Sequence, residues 1–498
     1  MARKPNVLLI MSDQHSPHVL GCAGDKVVRT PHLDALAARG VRFTSNYCPA
    51  PLCVPSRMAF LTGQTPSDTD VWTNHCVLNS NVPTFAHSLS AAGYDTVLCG
   101  RMHFRGPDQR HGFMSRLIGD VGAAYPGGRG VDLGPIPVGS TGQSRIAVDV
   151  AGPGRSSYQV FDEHVAAACR ELLTWQASQD RKRPRPFAVV VGFVLPHCPF
   201  VCPKDLFDEY YRKVTLPTWP QGYHARVHPA VQDWRRRRGI VDVPDETIRR
   251  ARAGYYGLVT HMDTQIGSIL DVLRKTGLAD DTVVIYTSDH GEMAGEHGMW
   301  WKSCFYEGSA GVPLIVSGPR RFAAGRVARE VVSLLDIAPT LTEVAGAKPL
   351  PHARGRSLLP LLSERKRGAS GSAKKIDWPN LAFCEHYSSA RRGDPPGRMV
   401  RRGPWKLNVY HGYDAPQLFN LDDDPDEWND LGTDPAHAAV RQELLERVHE
   451  GWSPERIKAR VKRVVSDYPI LAAWGKAVRP PDPDHWVPPP GSNIFPQT

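Results

Sequence analysis

Five short apolar runs rich in β-branched residues punctuate the chain: Val7–Met11, Thr96–Gly100, Phe187–Phe193, Thr282–Thr287 and Val312–Ser317. Stretches with helical periodicity lie between them, at Leu33–Arg39, Thr84–Ala92, Val160–Trp175 and Ile248–Lys275. Strands that alternate with helices predict an α/β fold, a mainly parallel sheet with helices on both faces. Such sheets bind ligands beyond the carboxyl ends of their strands. Asp13, Arg101, His103, His197, Asp289 and His290 fall at or just beyond those ends, and Cys53 falls at a predicted helix start.

The rest of the composition narrows the class. Of 498 residues, 41% are hydrophobic and 22% charged, which suits a globular chain rather than a disordered one. No apolar run approaches the ~20 residues needed to span a bilayer. The N-terminal Val7–Met11 run is too short for a signal peptide and ends in Ser12-Asp13, so a cytoplasmic protein with no membrane partner is expected. The ten cysteines are scattered, and Cys198 and Cys202 read as plain loop or core thiols. The net charge is +9, and the strongest basic run, Arg235–Arg238, reads as a solvated loop or helix face. No nucleic-acid motif accompanies it, and no nucleic-acid partner is expected.

Gly and Pro mark 122–157 as a long surface excursion, a candidate lid. Residues 176–186 read as a basic loop, and 363–375 as a flexible linker. Strand-like pieces follow at Asn380–Cys384, Trp405–Tyr410 and Gln417–Leu421, then a helix over Pro435–Trp452. The expected division is a catalytic α/β domain over 1–375, a smaller C-terminal α+β domain over 376–478, and a Pro-rich tail over 479–498. Trp486, Ile494 and Phe495 suggest that the tail packs on a surface, such as a neighbouring subunit's.

The segment Cys48-Pro-Ala-Pro-Leu-Cys53-Val-Pro55-Ser-Arg57-Met-Ala-Phe-Leu-Thr-Gly63 carries the most chemistry. Pro55 suits the first turn of a helix running to about Leu61, and Gly63 suits its end. Cys53 then sits at the helix N-terminus, with Arg57 one turn on along the same face. Physics alone allows a reactive thiol, an anion site or a buried structural cysteine.

Cys53-x-Pro-Ser-Arg57 also resembles the signature of the type I, formylglycine-dependent sulfatases. Further blocks extend the likeness: Pro5–Gln14, Thr30–Phe43, Ala92–Thr96, Gly100–Phe104, Leu195–Phe200, Tyr286–Glu292, Gly298–Lys302, and Leu418–Leu421 with Asp424, Pro425 and Glu427. Gly106–Phe113 is particularly similar to the choline-sulfatase branch. Three positions depart from the common pattern: Ser12 stands where many members have a second acidic residue, His290 where many have Asn, and Arg101 where the family usually has Lys.

The resemblance implies an alkaline-phosphatase-like fold and a sulfatase that splits a small-molecule sulfate ester. It implies that Cys53 is converted to formylglycine by a formylglycine-generating enzyme, and that its hydrate is the nucleophile. Asp13, Asp289, His290, modified residue 53 and Gln14 would hold one divalent cation. Ca²⁺ is the expected ion, with Mn²⁺ or Mg²⁺ as alternatives. Arg57 would orient residue 53, and Lys302 and Arg101 would neutralise sulfate oxygens. His197 would protonate the leaving alcohol, and His103 would be the base that releases sulfate from residue 53. A homo-oligomer is expected from the likeness and the tail. A phosphonate monoester or phosphodiester hydrolase on the same scaffold is the alternative. For the alcohol, a sulfated sugar or choline is considered; choline would need Trp72, Trp300, Trp301 and Tyr387 to converge near Glu385.

Overall fold

The computed structural model describes every residue except 1–3, 129, 131, 138, 180–184, 320–321, 364–375, 388–392 and 496–498. The 364–375 part of the expected linker and the centre of the 176–186 loop therefore lie outside the described residues. In chain order the strands are β1 (Asn6–Asp13), β2 (Gly40–Tyr47), β3 (Asp95–Gly100), β4 (Ser115–Arg116), β5 (Gly152–Pro153), β6 (Phe187–Pro196) and β7 (Val201–Cys202). They continue with β8 (Thr282–Ser288), β9 (Leu314–Ser317), β10 (Arg326–Ser333), β11 (Leu381–His386), β12 (Gly397–Arg402), β13 (Trp405–Tyr410) and β14 (Gln417–Asn420).

Eight of these form one sheet in the order β10-β2-β9-β8-β1-β6-β3-β4. The expected mainly parallel arrangement holds, with one antiparallel strand. β9, which covers the Val312–Ser317 run, is antiparallel to both β2 and β8. The central strands read as continuous apolar runs because both of their faces are covered. Along β1, Leu8 and Ile10 enter one core, while Val7, Leu9 and Met11 enter the other. The first core takes in Val165 and Cys169 of helix Ser157–Ser178 and Leu258 and Met262 of helix Asp245–Lys275. The second takes in Met58 and Leu61 of helix Cys53–Thr62 and Leu341 of helix Ile337–Val344.

Local chemistry explains where the long helices stop and start. Ser156 and Gln159 form a capping box at the head of Ser157–Ser178. Asp245–Lys275 carries Asp245 and Glu246 in its first turn and Arg274 and Lys275 in its last, matching the helix dipole. None of the described helices is long and apolar enough to cross a membrane.

The second sheet, β11-β12-β13-β14, is antiparallel throughout. It packs with helices Ala438–His449 and Pro454–Val478 around Val400, Leu407, Leu418, Leu444 and Val461. The 122–157 excursion is only partly on the surface: Ala147, Val148 and Ala151 belong to the main core. The tail is non-helical as expected, and it packs on its own chain. Asp120 N–H donates to Asp484 O and Trp486 N–H donates to Asp120 O, both at 2.8 Å.

Candidate active site

Four adjacent parallel strands deliver the site residues from their carboxyl ends. β8 is followed by Asp289 and His290, β1 ends in Asp13 followed by Gln14, β6 is followed by His197, and β3 by Arg101 and His103. The peptides Leu195–Pro196 and Cys198–Pro199, on either side of His197, are cis. Gly192 lets the ends of β3 and β6 approach closely. Arg101 N–H donates to Gly192 O at 2.8 Å, and a Cβ on residue 192 would lie 1.8 Å from Arg101 O.

Helix Cys53–Thr62 aims its N-terminus at these strand ends. Leu52 is extended (φ −160°), the helix begins at Cys53, and Gly63 ends it at φ 67° with its N–H on Ala59 O. That left-handed conformation costs glycine little and other residues more. The whole helix is buried, so Cys53 and Arg57 are held by packing on every side.

Asp13, Cys53, Asp289 and His290 bring four ligand-type atoms within 4.8 Å of one another. Cys53 Sγ is 3.2 Å from His290 Nε2 and 3.7 Å from Asp13 Oδ1. His290 Nδ1–H donates to Gly291 O at 3.1 Å, which turns the Nε2 lone pair toward the cluster. Burial pulls this imidazole down to about 4, so it is neutral and ligand-competent near neutral pH. Two carboxylates, an oriented imidazole and residue 53 therefore fit a divalent cation.

Arg57 bridges the two carboxylates: Nε is 2.8 Å from Asp289 Oδ2 and Nη2 is 3.1 Å from Asp13 Oδ2. Burial alone would push the Asp13 carboxyl up, but Arg101, His197, Arg57 and Lys302 outweigh it and hold the group well below the usual carboxylate range. Arg101 spends its planar fork on three protein groups. Nε donates to Asp13 at 2.7 Å, Nη1 to Asp120 at 3.2 Å and Nη2 to His103 Nδ1 at 2.9 Å.

Lys302 faces Cys53 Sγ at 3.5 Å, and it donates to Gln14 Oε1 at 2.6 Å and His197 Nε2 at 2.9 Å. Burial opposes its charge, yet Cys53 and Asp13 beside it raise its pKa above the ordinary lysine value. His197 Nδ1–H is fixed on Cys198 O at 2.7 Å, so Nε2 is the nitrogen that accepts from Lys302. Burial, Arg101 and Arg105 keep His103 far below the usual imidazole range and hence neutral. All the residues expected at the site thus join one contact network around Cys53, with His103 the most remote, reached through Arg101 and Asp13.

Two supporting residues were not anticipated in a role. Glu292 accepts from Gln14 Nε2 at 2.6 Å, which leaves the carboxamide oxygen of Gln14 on Lys302 rather than free. Asp120 accepts from Arg101 and, at 2.6 Å, from the His103 N–H. Glu292 is visible as the last residue of the Ser-Asp-His-Gly-Glu block, whereas Asp120 carries no local signal.

One expectation is corrected in part, and one condition is not met. Arg235–Arg238 is a solvated face only in part, since Arg236 and Arg237 are exposed while Arg235 and Arg238 are buried. Arg238 is buried with Nη2 2.6 Å from Asp394 and its guanidinium 4.0 Å over the Trp234 ring, and Arg235 is buried against Gly298 O and His224. These residues sit on a helix whose apolar face carries Val231 and Trp234 into the core, and the pairing carboxylate comes from a distant segment. The aromatic residues considered for choline do not converge. Trp72 and Tyr387 belong to the C-terminal core, Trp300 and Trp301 to the main core. Glu385 is taken by the Ser67 hydroxyl and by Arg398 at 3.5 Å.

Comparison with known proteins gives a consistent result. The family model described as Sulfatase matches residues 5–347, and that for N-sulphoglucosamine sulphohydrolase, C-terminal, matches 295–452. The choline-sulfatase of Rhizobium meliloti (strain 1021) is 34% identical over 483 residues, covering 92% of this chain and 89% of that protein. Arylsulfatase K of Xenopus laevis is 28% identical over 494 residues, covering 94% and 84%. The phosphonate monoester hydrolase of Agrobacterium radiobacter superposes with a TM-score of 0.71 at 25% identity, over 90% of this chain and 95% of that one. The architecture is accordingly the alkaline-phosphatase-like fold.

Proposed function

The chain belongs to the sulfatase family of sulfuric ester hydrolases, and on that footing we propose that it splits a small-molecule sulfate ester at residue 53, matured from cysteine to formylglycine. The observation that carries this reading is the setting of Cys53. Its Sγ lies within 3.7 Å of Asp13, His290 and Lys302, at the N-terminus of a buried helix.

Maturation replaces the side chain's CH₂SH by an aldehyde, whose hydrate supplies an oxygen nucleophile in the same place. Asp13, Asp289, His290 and residue 53 would hold one divalent cation, with Ca²⁺ the ion we favour for a carboxylate-rich set. When bound, the ion adds positive charge that favours an ionised hydrate oxygen and eases charge on the sulfate oxygens.

The remaining roles follow from this chain's own contacts. Arg57 keeps both carboxylates turned toward residue 53. Lys302 sets an ammonium against the sulfate oxygens, where it is worth most in a site closed to water. His197 places Nε2 beside that ammonium, and the pair delivers a proton to the departing alcohol oxygen. Arg101 acts through others, fixing Asp13 and the His103 ring, and departs here from a direct hold on the substrate. His103, neutral and held between Arg101 and Arg105, is the base that takes the proton from the second hydroxyl of residue 53.

Mass analysis of the tryptic peptide Phe43–Arg57, from protein produced with an active formylglycine-generating enzyme, tests the reading. An aldehyde or its hydrate at position 53 is expected. An unmodified thiol, with a control substrate matured in the same cells, would overturn it.

The likeness to a phosphonate monoester hydrolase favours one second reading, hydrolysis of phosphonate monoesters or phosphodiesters at the same centre. Aryl sulfate and aryl phosphonate supplied together distinguish the two by which is consumed first.

A further inference from the structure

Arg105 lies one imidazole beyond Arg101. The His103 ring is between them, with Arg101 Nη2 at 2.9 Å from Nδ1 and Arg105 Nη2 at 3.2 Å from Nε2. The other contacts of Arg105 are to backbone oxygens, Nε to Asn74 O at 3.1 Å and Nη1 to Ala123 O at 2.6 Å. Among the described residues no carboxylate lies within ion-pair distance of it. Arg57 and Arg101, by contrast, are each paired with two carboxylates. A guanidinium has five N–H donors, and these contacts leave some of them unspent. The residue is half-buried rather than closed off.

The charge balance around residue 53 points the same way. Arg57, Arg101, Arg105 and Lys302 face Asp13, Asp120 and Asp289, and a divalent cation would deepen the positive excess. A sulfate monoester brings one negative charge. An ammonium-bearing alcohol would meet the charge of Arg105 head-on, and among the described residues Arg105 has no ion-paired carboxylate to offset it.

We propose that Arg105 is a specificity-determining residue that selects sulfate esters whose alcohol portion carries a second anionic group, a carboxylate or a further sulfate. The second group lies on the guanidinium while the scissile sulfate lies on residue 53 and Lys302. A carboxylate or sulfate matches the planar fork with two parallel hydrogen bonds. This inference rests on the sulfatase reading above.

The test compares kcat/KM for the O-sulfates of one four-carbon alcohol ending in a carboxylate, a second sulfate, a methyl ester or a trimethylammonium group. The wild-type enzyme is expected to prefer an anionic ending over the methyl ester by about tenfold or more, the factor that ~1.4 kcal/mol represents. The carboxylate and sulfate arms tell which anion is preferred. Arg105→Gln should bring that ratio close to one, and Arg105→Lys should keep part of it. Equal turnover of all four esters, or preference for the trimethylammonium ending, overturns the proposal. So does an equal loss on every ester in Arg105→Gln, which would make Arg105 a positioning residue for His103. The wild-type ratio decides even where a variant fails to fold. Hydrolysis of phosphonate esters with no sulfate ester turned over would instead overturn the underlying sulfatase reading.

Discussion

Lys302 is a buried ammonium that donates to the Gln14 carboxamide and the His197 imidazole and faces Cys53 Sγ. Among the described residues no carboxylate lies within ion-pair distance of it, and such a cation in a closed site is poised for a ligand's charge. Lys302→Ala is therefore expected to lower kcat by ~10²–10³-fold, with a circular dichroism spectrum like that of the wild type; full activity would sink the role. A different residue controls acid stability. His297 stacks on Tyr306 with ring centroids 4.1 Å apart, and burial together with Lys406 pulls its pKa down to about 3. The unfolded chain then binds the proton first. Stability is full above about pH 6.5 and falls progressively as the pH drops from there toward 3. Thermal melts of the wild type between pH 7 and 5 should show this decline, and His297→Asn should flatten the slope. Single-residue chemistry was readable wherever it sat in a contiguous block, as with Cys53 and Arg57 or Asp289 and His290. Asp120 and Arg105 escaped because nothing in their neighbours' identities announces what they face.

Strand ends are the elements on which the site depends, and β6 shows how one is held. The N–H groups of Val194 and Leu195 donate to the two oxygens of Asp162, at 2.8 and 2.9 Å, just before His197. Asp162 comes from helix Ser157–Ser178, so a helix anchors the strand end that presents His197. Asp162→Ala should leave both N–H groups unpaired in the core, costing about 1–3 kcal/mol for each. Urea unfolding measures that loss, and kcat should fall with it because His197 is no longer held. The central strands and long helices were legible because burial on two faces gives unbroken apolar runs and burial on one gives a helical stripe. β10 and β12 were not expected, since Arg326–Ser333 mixes charges with valines and Gly397–Arg402 holds three arginines. Helix Pro454–Val478 was missed for a similar reason. It contains Pro469 and buries only Ile457, Val461 and Gly475 fully, so its pattern is faint.

The two sheets are joined through a buried lysine. Lys406 on β13 lies 2.7 Å from Glu307 and 2.8 Å from Glu427, and the Glu307 N–H donates to Glu427 at 2.7 Å. Tyr47, at the end of β2, adds its hydroxyl to Glu307 at 3.0 Å. One ammonium thus ties the C-terminal sheet to the end of the large sheet. Lys406→Met should strand two carboxylates beside each other and destabilise the protein by about 3–5 kcal/mol, read as a lower urea midpoint; an unchanged midpoint would refute the tie.

The amino-acid sequence by itself determined the layered α/β plan, the residues that follow each central strand and the helix that starts at Cys53. Those features are local: apolar runs, caps and strand-end positions write themselves into neighbouring residues. Only the tertiary structure decided that Arg101 is spent on Asp13, Asp120 and His103, that Arg238 is buried on Asp394, and that the four aromatic residues divide between two cores. Each of those outcomes depends on which distant segments the packing of the sheets brings into contact. A charge or a ring has no periodicity that records its partner, so its partner is settled only when the cores close.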